Sequence, residues 1–139
     1  MAKRLEIDFS QNQYSSYEDM VAKILIRIFQ NPEMPFMSYQ MSNDFIGALL
    51  GNINKESNFN PFAYNPDDAG TGSSSSGLFQ HHKERETALI DFMVKGGFSA
   101  DRLQNLFLGL EQPTEQEVSD AMSLQLEFAL VHDGKDSEI

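Results

Sequence analysis

A chain of 139 residues is long enough for one hydrophobic core that buries roughly 68–70% of the surface its unfolded form exposes. With no cysteine it has no disulfide or thiolate metal site, so packing must supply its stability and folding needs no oxidising compartment. A formal net charge of −11 argues against sequence-independent nucleic-acid binding, which Lys and Arg drive by releasing counterions, and against unaided diffusion onto an anionic cell wall.

The longest apolar runs are too short to cross a bilayer. Lys3 and Arg4 are followed by Glu6 and Asp8 with no apolar segment behind them, so no secretory signal is expected. Leu5, Ile7 and Phe9 alternate with polar residues, the period of a short strand or docked arm over 1–15. Ser15 or Ser16 then caps a first helix with Val21, Ile24, Leu25 and Ile28 on one face, which Asn31-Pro32 and Pro35 end.

A second helix starts near Ser42 or Asn43 and carries Phe45, Ile46, Leu49, Leu50 and Ile53 inward as far as Lys55 or Glu56. Gly47 and Gly51, four apart on one side, would admit a close backbone neighbour. Residues 57–76 have no helical period; Pro61, Pro66, Asp67, Asp68, Gly70 and Gly72 mark an irregular or β-hairpin lobe with Phe59, Phe62 and Tyr64 to bury. Its four serines between Gly72 and Gly77 read as a floppy stretch.

After Gln80 a third helix runs to about Val94 with Leu89, Phe92 and Met93 inward, and Gly96-Gly97 ends it. Phe98, Ser99 and Leu103 form a staple and N-cap for a helix carrying Leu103, Leu106, Phe107 and Leu110. Thr114 with Glu117 is a capping box before a last helix with Val118, Ala121, Met122, Leu126 and Ala129. Asp133-Gly134 stops it, and 133–139 is a polar tail. The expectation is a mainly α single domain over 1–139, with about five helices, one small lobe and no internal repeat.

Cleaving a glycosidic bond requires a carboxylic acid to protonate the leaving oxygen and a means of stabilising an oxocarbenium-like state. Glu56 closes the second helix, where the macrodipole disfavours a carboxylate, and Phe59 and Phe79 are apolar neighbours that would desolvate it; both favour the protonated acid. Residue type and position alone do not separate this role from that of an ordinary solvated Glu. Lys55, Lys83 and Arg85 flank the same region and would give it a local field unlike the global one.

The run Glu56-Ser57-Asn58-Phe59-Asn60-Pro61, followed by Gly77-Leu78-Phe79-Gln80 and Arg85 to Leu89, resembles the phage tail lysozyme family of the lysozyme-like superfamily and is similar to lytic transglycosylases. The later Gln125-Leu126-Glu127-Phe128 run resembles a helix of the same family. The resemblance implies a lysozyme-like α+β fold whose lobe forms one wall of a cleft, and a virion (tail) protein acting on bacterial peptidoglycan during host entry. Other tail proteins are its expected partners, and neither nucleic acid, membrane nor cofactor is implied.

In this family Glu56 would be the general acid on the β-1,4 bond between N-acetylmuramic acid and N-acetylglucosamine. Ser57 would support its loop, Gln80 would line the sugar cleft, and Gly77 would let the backbone approach the sugar. Asp68 is the candidate second carboxylate, although Asn-Pro-Asp-Asp is also an ordinary turn sequence. A lytic transglycosylase would dispense with Asp68 by using the substrate's own 6-hydroxyl, and a structural or wall-binding tail component would need no catalysis. Where the family commonly has an aromatic residue after Gly-Leu-x-Gln, often Trp, this chain has His81-His82 and contains no Trp; sugar stacking would fall to Tyr64, Phe62 or His81. His82 with Glu86 is the one helical pair with metal-ligand spacing, and with no third ligand evident no metal is expected.

Overall fold

The computed structural model describes residues 15–30, 43–67 and 73–132. The expected arm with Leu5, Ile7 and Phe9, the Pro32 and Pro35 helix stop, Asp68 and the 133–139 tail lie outside these residues, as do the side chains of Phe45 and Ile46. In chain order the elements are α1 (Tyr17–Gln30), α2 (Asn43–Ser57), β1 (Tyr64–Asn65), β2 (Ser75–Ser76), β3 (His81–His82), α3 (Glu84–Lys95), α4 (Ala100–Phe107) and α5 (Glu115–Glu127), the last passing into a π-helical turn at Phe128–His132. This is a mainly helical lysozyme-like α+β fold with one small antiparallel sheet.

Local chemistry sets the helix starts. Ser16 Oγ accepts from the Asp19 N–H at 3.0 Å, and Ser99 Oγ accepts from the Arg102 N–H at 3.0 Å, each satisfying a donor that a first turn leaves unpaired. At α5 the box is complete: Thr114 Oγ1 accepts from the Glu117 N–H at 3.1 Å and the Glu117 carboxylate accepts from the Thr114 N–H at 2.9 Å. Gly97, at φ +121, follows the end of α3 in a conformation that costs glycine little.

The core forms where the apolar stripes meet. Val21, Ile24, Leu25 and Ile28 of α1, Leu49 and Ile53 of α2, Leu89 and Met93 of α3, Leu103, Leu106 and Phe107 of α4, and Val118, Ala121, Met122 and Leu126 of α5 are all buried. Helix α5 packs against both α1 and α3, so it is the post around which the bundle assembles. Leu110 is 69% exposed, not part of the α4 stripe, because α4 ends at Phe107. Among the described residues an added Cβ at Gly47 or Gly51 would meet nothing within 4 Å, so no described segment makes the expected close backbone approach to either glycine.

The sheet order is β1-β2-β3, with Tyr64 opposite Ser76, Asn65 opposite Ser75, and Ser76 and Ser75 opposite His81 and His82. The third strand corrects the expectation that a helix follows Gln80. His81 and His82 pair with the serines, Lys83 turns at φ 54, and α3 begins only at Glu84. His82 and Glu86 therefore do not share a helix, which removes the i, i+4 geometry considered for a metal pair.

Candidate functional site

Glu56 lies in the last turn of α2 and is exposed. The next residue is the opposite: Ser57 is 2% exposed and its hydroxyl donates to the Ile53 carbonyl at 3.0 Å. That bond folds the Ser57 side chain back onto the helix it ends and commits it to the protein interior, which leaves no surface for a substrate.

The chain then leaves the helix abruptly. Asn58 and Phe59 take φ values of 53 and 61, each a left-handed conformation costing on the order of 1–3 kcal/mol outside glycine. The surroundings hold them there. The Asn58 N–H donates to the Asn54 carbonyl at 2.8 Å and the Asn60 N–H to the Ser57 carbonyl at 3.1 Å; Asn60 Oδ1 accepts from the Phe62 N–H at 2.8 Å. Phe59, Asn60 and Phe62 are all buried.

This turn corrects part of the expected environment. Phe59 and Phe79 face the core and do not enclose Glu56, which is exposed. Phe62 is likewise 3% exposed and packs edge-on against Phe98 and Phe107, with centroids at 6.4 and 5.5 Å, so it offers no free face to a sugar.

The second motif folds back onto the first through Gln125. Its Nε2 donates to the Pro61 carbonyl at 2.7 Å and its Oε1 accepts from the Leu78 N–H at 2.8 Å, with no exposure of the side chain to solvent. Gly77 sits beneath this bridge at φ +88, and a Cβ there would lie 2.8 Å from Gln125 Oε1. Interior packing, not approach of a sugar, therefore explains this glycine.

Gln80 is a strut. Its Oε1 accepts from Ser75 Oγ at 2.9 Å, and its Nε2 donates to the carbonyls of Gly77 at 3.0 Å and Ala63 at 3.2 Å. The carboxamide thus closes the hairpin. The serine run is pinned in the same way: Ser74 Oγ and Ser76 Oγ donate to the two oxygens of Glu86 at 2.7 and 2.6 Å, and His82 Nδ1 is 3.0 Å from the Ser74 carbonyl. Ser75 and Ser76 are buried, so the stretch expected to be floppy is a fastened wall.

His81 is 2% exposed and packs edge-on against Phe79 and Phe128, centroids 6.0 and 5.2 Å away. Burial, helped by the nearby Arg85 charge, pushes its pKa down to about 4. A ring so enclosed cannot stack on a sugar. Tyr64, half-buried, is the expected aromatic that remains at a surface, on one wall of a cleft of about 260 Å³. Asp67 is exposed, and its N–H donates to Asn65 Oδ1 at 3.2 Å, the local side-chain bond of an Asx turn.

The buried Gln125 carboxamide thus ties the strained segment that follows Glu56, at Pro61, to the turn at Leu78. A sequence model of the phage tail lysozymes matches residues 34–132, and the chain belongs to that family. Neither the curated proteins nor the solved structures contain a significant match. Membership makes this a phage lysozyme-like protein whose substrate is peptidoglycan. Among the described residues, no helix is long and apolar enough to cross a membrane.

Proposed function

We propose that the protein is a virion-associated glycosidase that cleaves the β-1,4 bond between N-acetylmuramic acid and N-acetylglucosamine, with Glu56 as general acid. The observation that carries this reading is the contrast at residues 56 and 57: an exposed carboxylate directly precedes a backbone locked by a buried serine and two left-handed residues. A freely solvated Glu needs no such foundation. A proton donor that must reach one glycosidic oxygen does.

In this mechanism the glycan covers Glu56 and excludes water, and the carboxyl proton passes to the leaving oxygen. The C–O bond breaks as that proton arrives, and the carboxylate left behind then accepts a proton from the nucleophile. Asp68 is proposed to assist, by positioning water or stabilising positive charge on the sugar. Tyr64 is proposed as the aromatic surface for the glycan, in place of the Trp this chain lacks.

Digestion of purified peptidoglycan by the wild-type protein and Glu56→Gln, with products read by mass spectrometry, tests the proposal. Glu56-dependent fragments with reducing ends support hydrolysis. Fragments with 1,6-anhydro ends indicate transglycosylation by the same acid, and the absence of Glu56-dependent fragments leaves a structural or wall-binding tail component.

A further inference from the structure

The cleft of about 260 Å³ does not include Glu56. Tyr64, Ser74 and Ser76 of the sheet region line one side, Glu86 and Ile90 come from α3, and Leu103 and Phe107 from α4. Its walls are mainly aliphatic and aromatic, with one carboxylate among them. Both Glu86 oxygens are held by serine hydroxyls. An ionised carboxylate has about four acceptor positions, so two hydroxyls orient it without exhausting it.

We infer that this cleft binds a primary alkylammonium side chain, its methylenes against Leu103 and Phe107 and its charged end on Glu86. Apolar walls with one fixed anion complement an amphipathic cation, for which ammonium–carboxylate bonds are the strong, charge-assisted kind. The protein's net charge of −11 favours a cation and disfavours an anion. A metal ion fits poorly, since hard cations take six or more oxygens and no group of three or more His, Cys, Asp or Glu capable of holding one occurs among the described residues. On the peptidoglycan reading above, on which this part rests, the ammonium is that of a diamino acid in a wall stem peptide. The cleft then reads the peptide while Glu56 works on the glycan.

Two measurements test this. In the first, 1-pentylamine is titrated at neutral pH into the full chain, followed by amide NMR shifts, with 1-pentanol as the uncharged control and Glu86→Gln and Glu56→Gln as variants. Saturable shifts at Tyr64, Leu103 and Gln104, weakened about tenfold in Glu86→Gln and for pentanol but unchanged in Glu56→Gln, are expected from loss of one charge-assisted contact. No saturation, or equal binding by Glu86→Gln or of pentanol, overturns the amine site whether or not the protein is an enzyme. In the second, wall material with free or N-acetylated side-chain amines is digested; a KM several-fold lower for the free amines, lost in Glu86→Gln with kcat retained, is expected. Equal KM values overturn the stem peptide as the source, and no digestion of either material overturns the glycosidase reading while the first measurement stands.

Discussion

Gln125 accepts a hydrogen bond from the Leu78 N–H at 2.8 Å, across 47 positions of sequence, and the same carboxamide donates to the Pro61 carbonyl at 2.7 Å. One side chain of α5 thereby joins the segment after Glu56 to the Gly77-Leu78 turn. Gln125→Ala strands a buried N–H and a buried carbonyl, each costing about 1–3 kcal/mol, and opens a cavity besides. Urea unfolding should show a loss of about 3 kcal/mol or more. A loss under 1 kcal/mol would mean that the bridge is replaceable.

Gly77 and the two α2 glycines should respond in opposite directions. Gly77→Ala places a Cβ 2.8 Å from Gln125 Oε1 at φ +88, so it pays about 1–2 kcal/mol for the left-handed backbone and disturbs the bridge as well. Gly47→Ala and Gly51→Ala meet nothing within 4 Å among the described residues and lie within a helix, so each should stabilise by about 0.4–1 kcal/mol. Thermal midpoints of the three variants check both signs.

His81 makes stability depend on pH. Its folded pKa is about 4 against an ordinary 6.5, so between these values the unfolded chain takes up a proton that the native ring refuses. Stability therefore falls as pH drops from about 6.5 to about 4. His81→Phe, which keeps an aromatic ring between Phe79 and Phe128, should flatten this part of the profile in denaturant titrations. An unchanged slope would assign the dependence to other groups.

Glu117 acts in a lower window. Arg102 binds it through two parallel contacts, Nε to Oε2 at 2.8 Å and Nη2 to Oε1 at 2.7 Å, while Nη1 reaches Glu111 Oε2 at 2.7 Å. The guanidinium, with the Thr114 N–H, holds the Glu117 carboxyl down to about 2 from 4.5. Its contribution is present above about pH 4.5 and is lost as pH falls through 4.5 toward 2. Glu117→Gln should lower stability at neutral pH and reduce the further loss across that window, measured by unfolding at each pH.

The helices were legible because their apolar residues repeat at the helical period and their caps are written in short motifs, as Ser16, Ser99 and Thr114-Glu117 show. Strand β3 was not, since a two-residue strand has no period and its pairing with Ser75 and Ser76 is tertiary. The pinning of the serine run by Glu86 left no local trace for the same reason. Gln125 did leave one: it stands seven residues after Val118 on the otherwise apolar stripe of α5, and a polar residue on a core stripe implies buried partners. For Glu56 the motif marked the position, but its exposure and the inward turn of Phe59 and Phe79 depend on the left-handed turn at Asn58 and Phe59, which residue type does not announce.

The most direct test of the central claim is the initial rate of fragment release from purified peptidoglycan by Glu56→Gln, compared with wild type after circular dichroism has shown both to be equally folded. Removal of a positioned general acid predicts a fall of about 10²–10⁴-fold with binding to the wall retained. A variant that releases the same fragments at the wild-type rate would contradict the account.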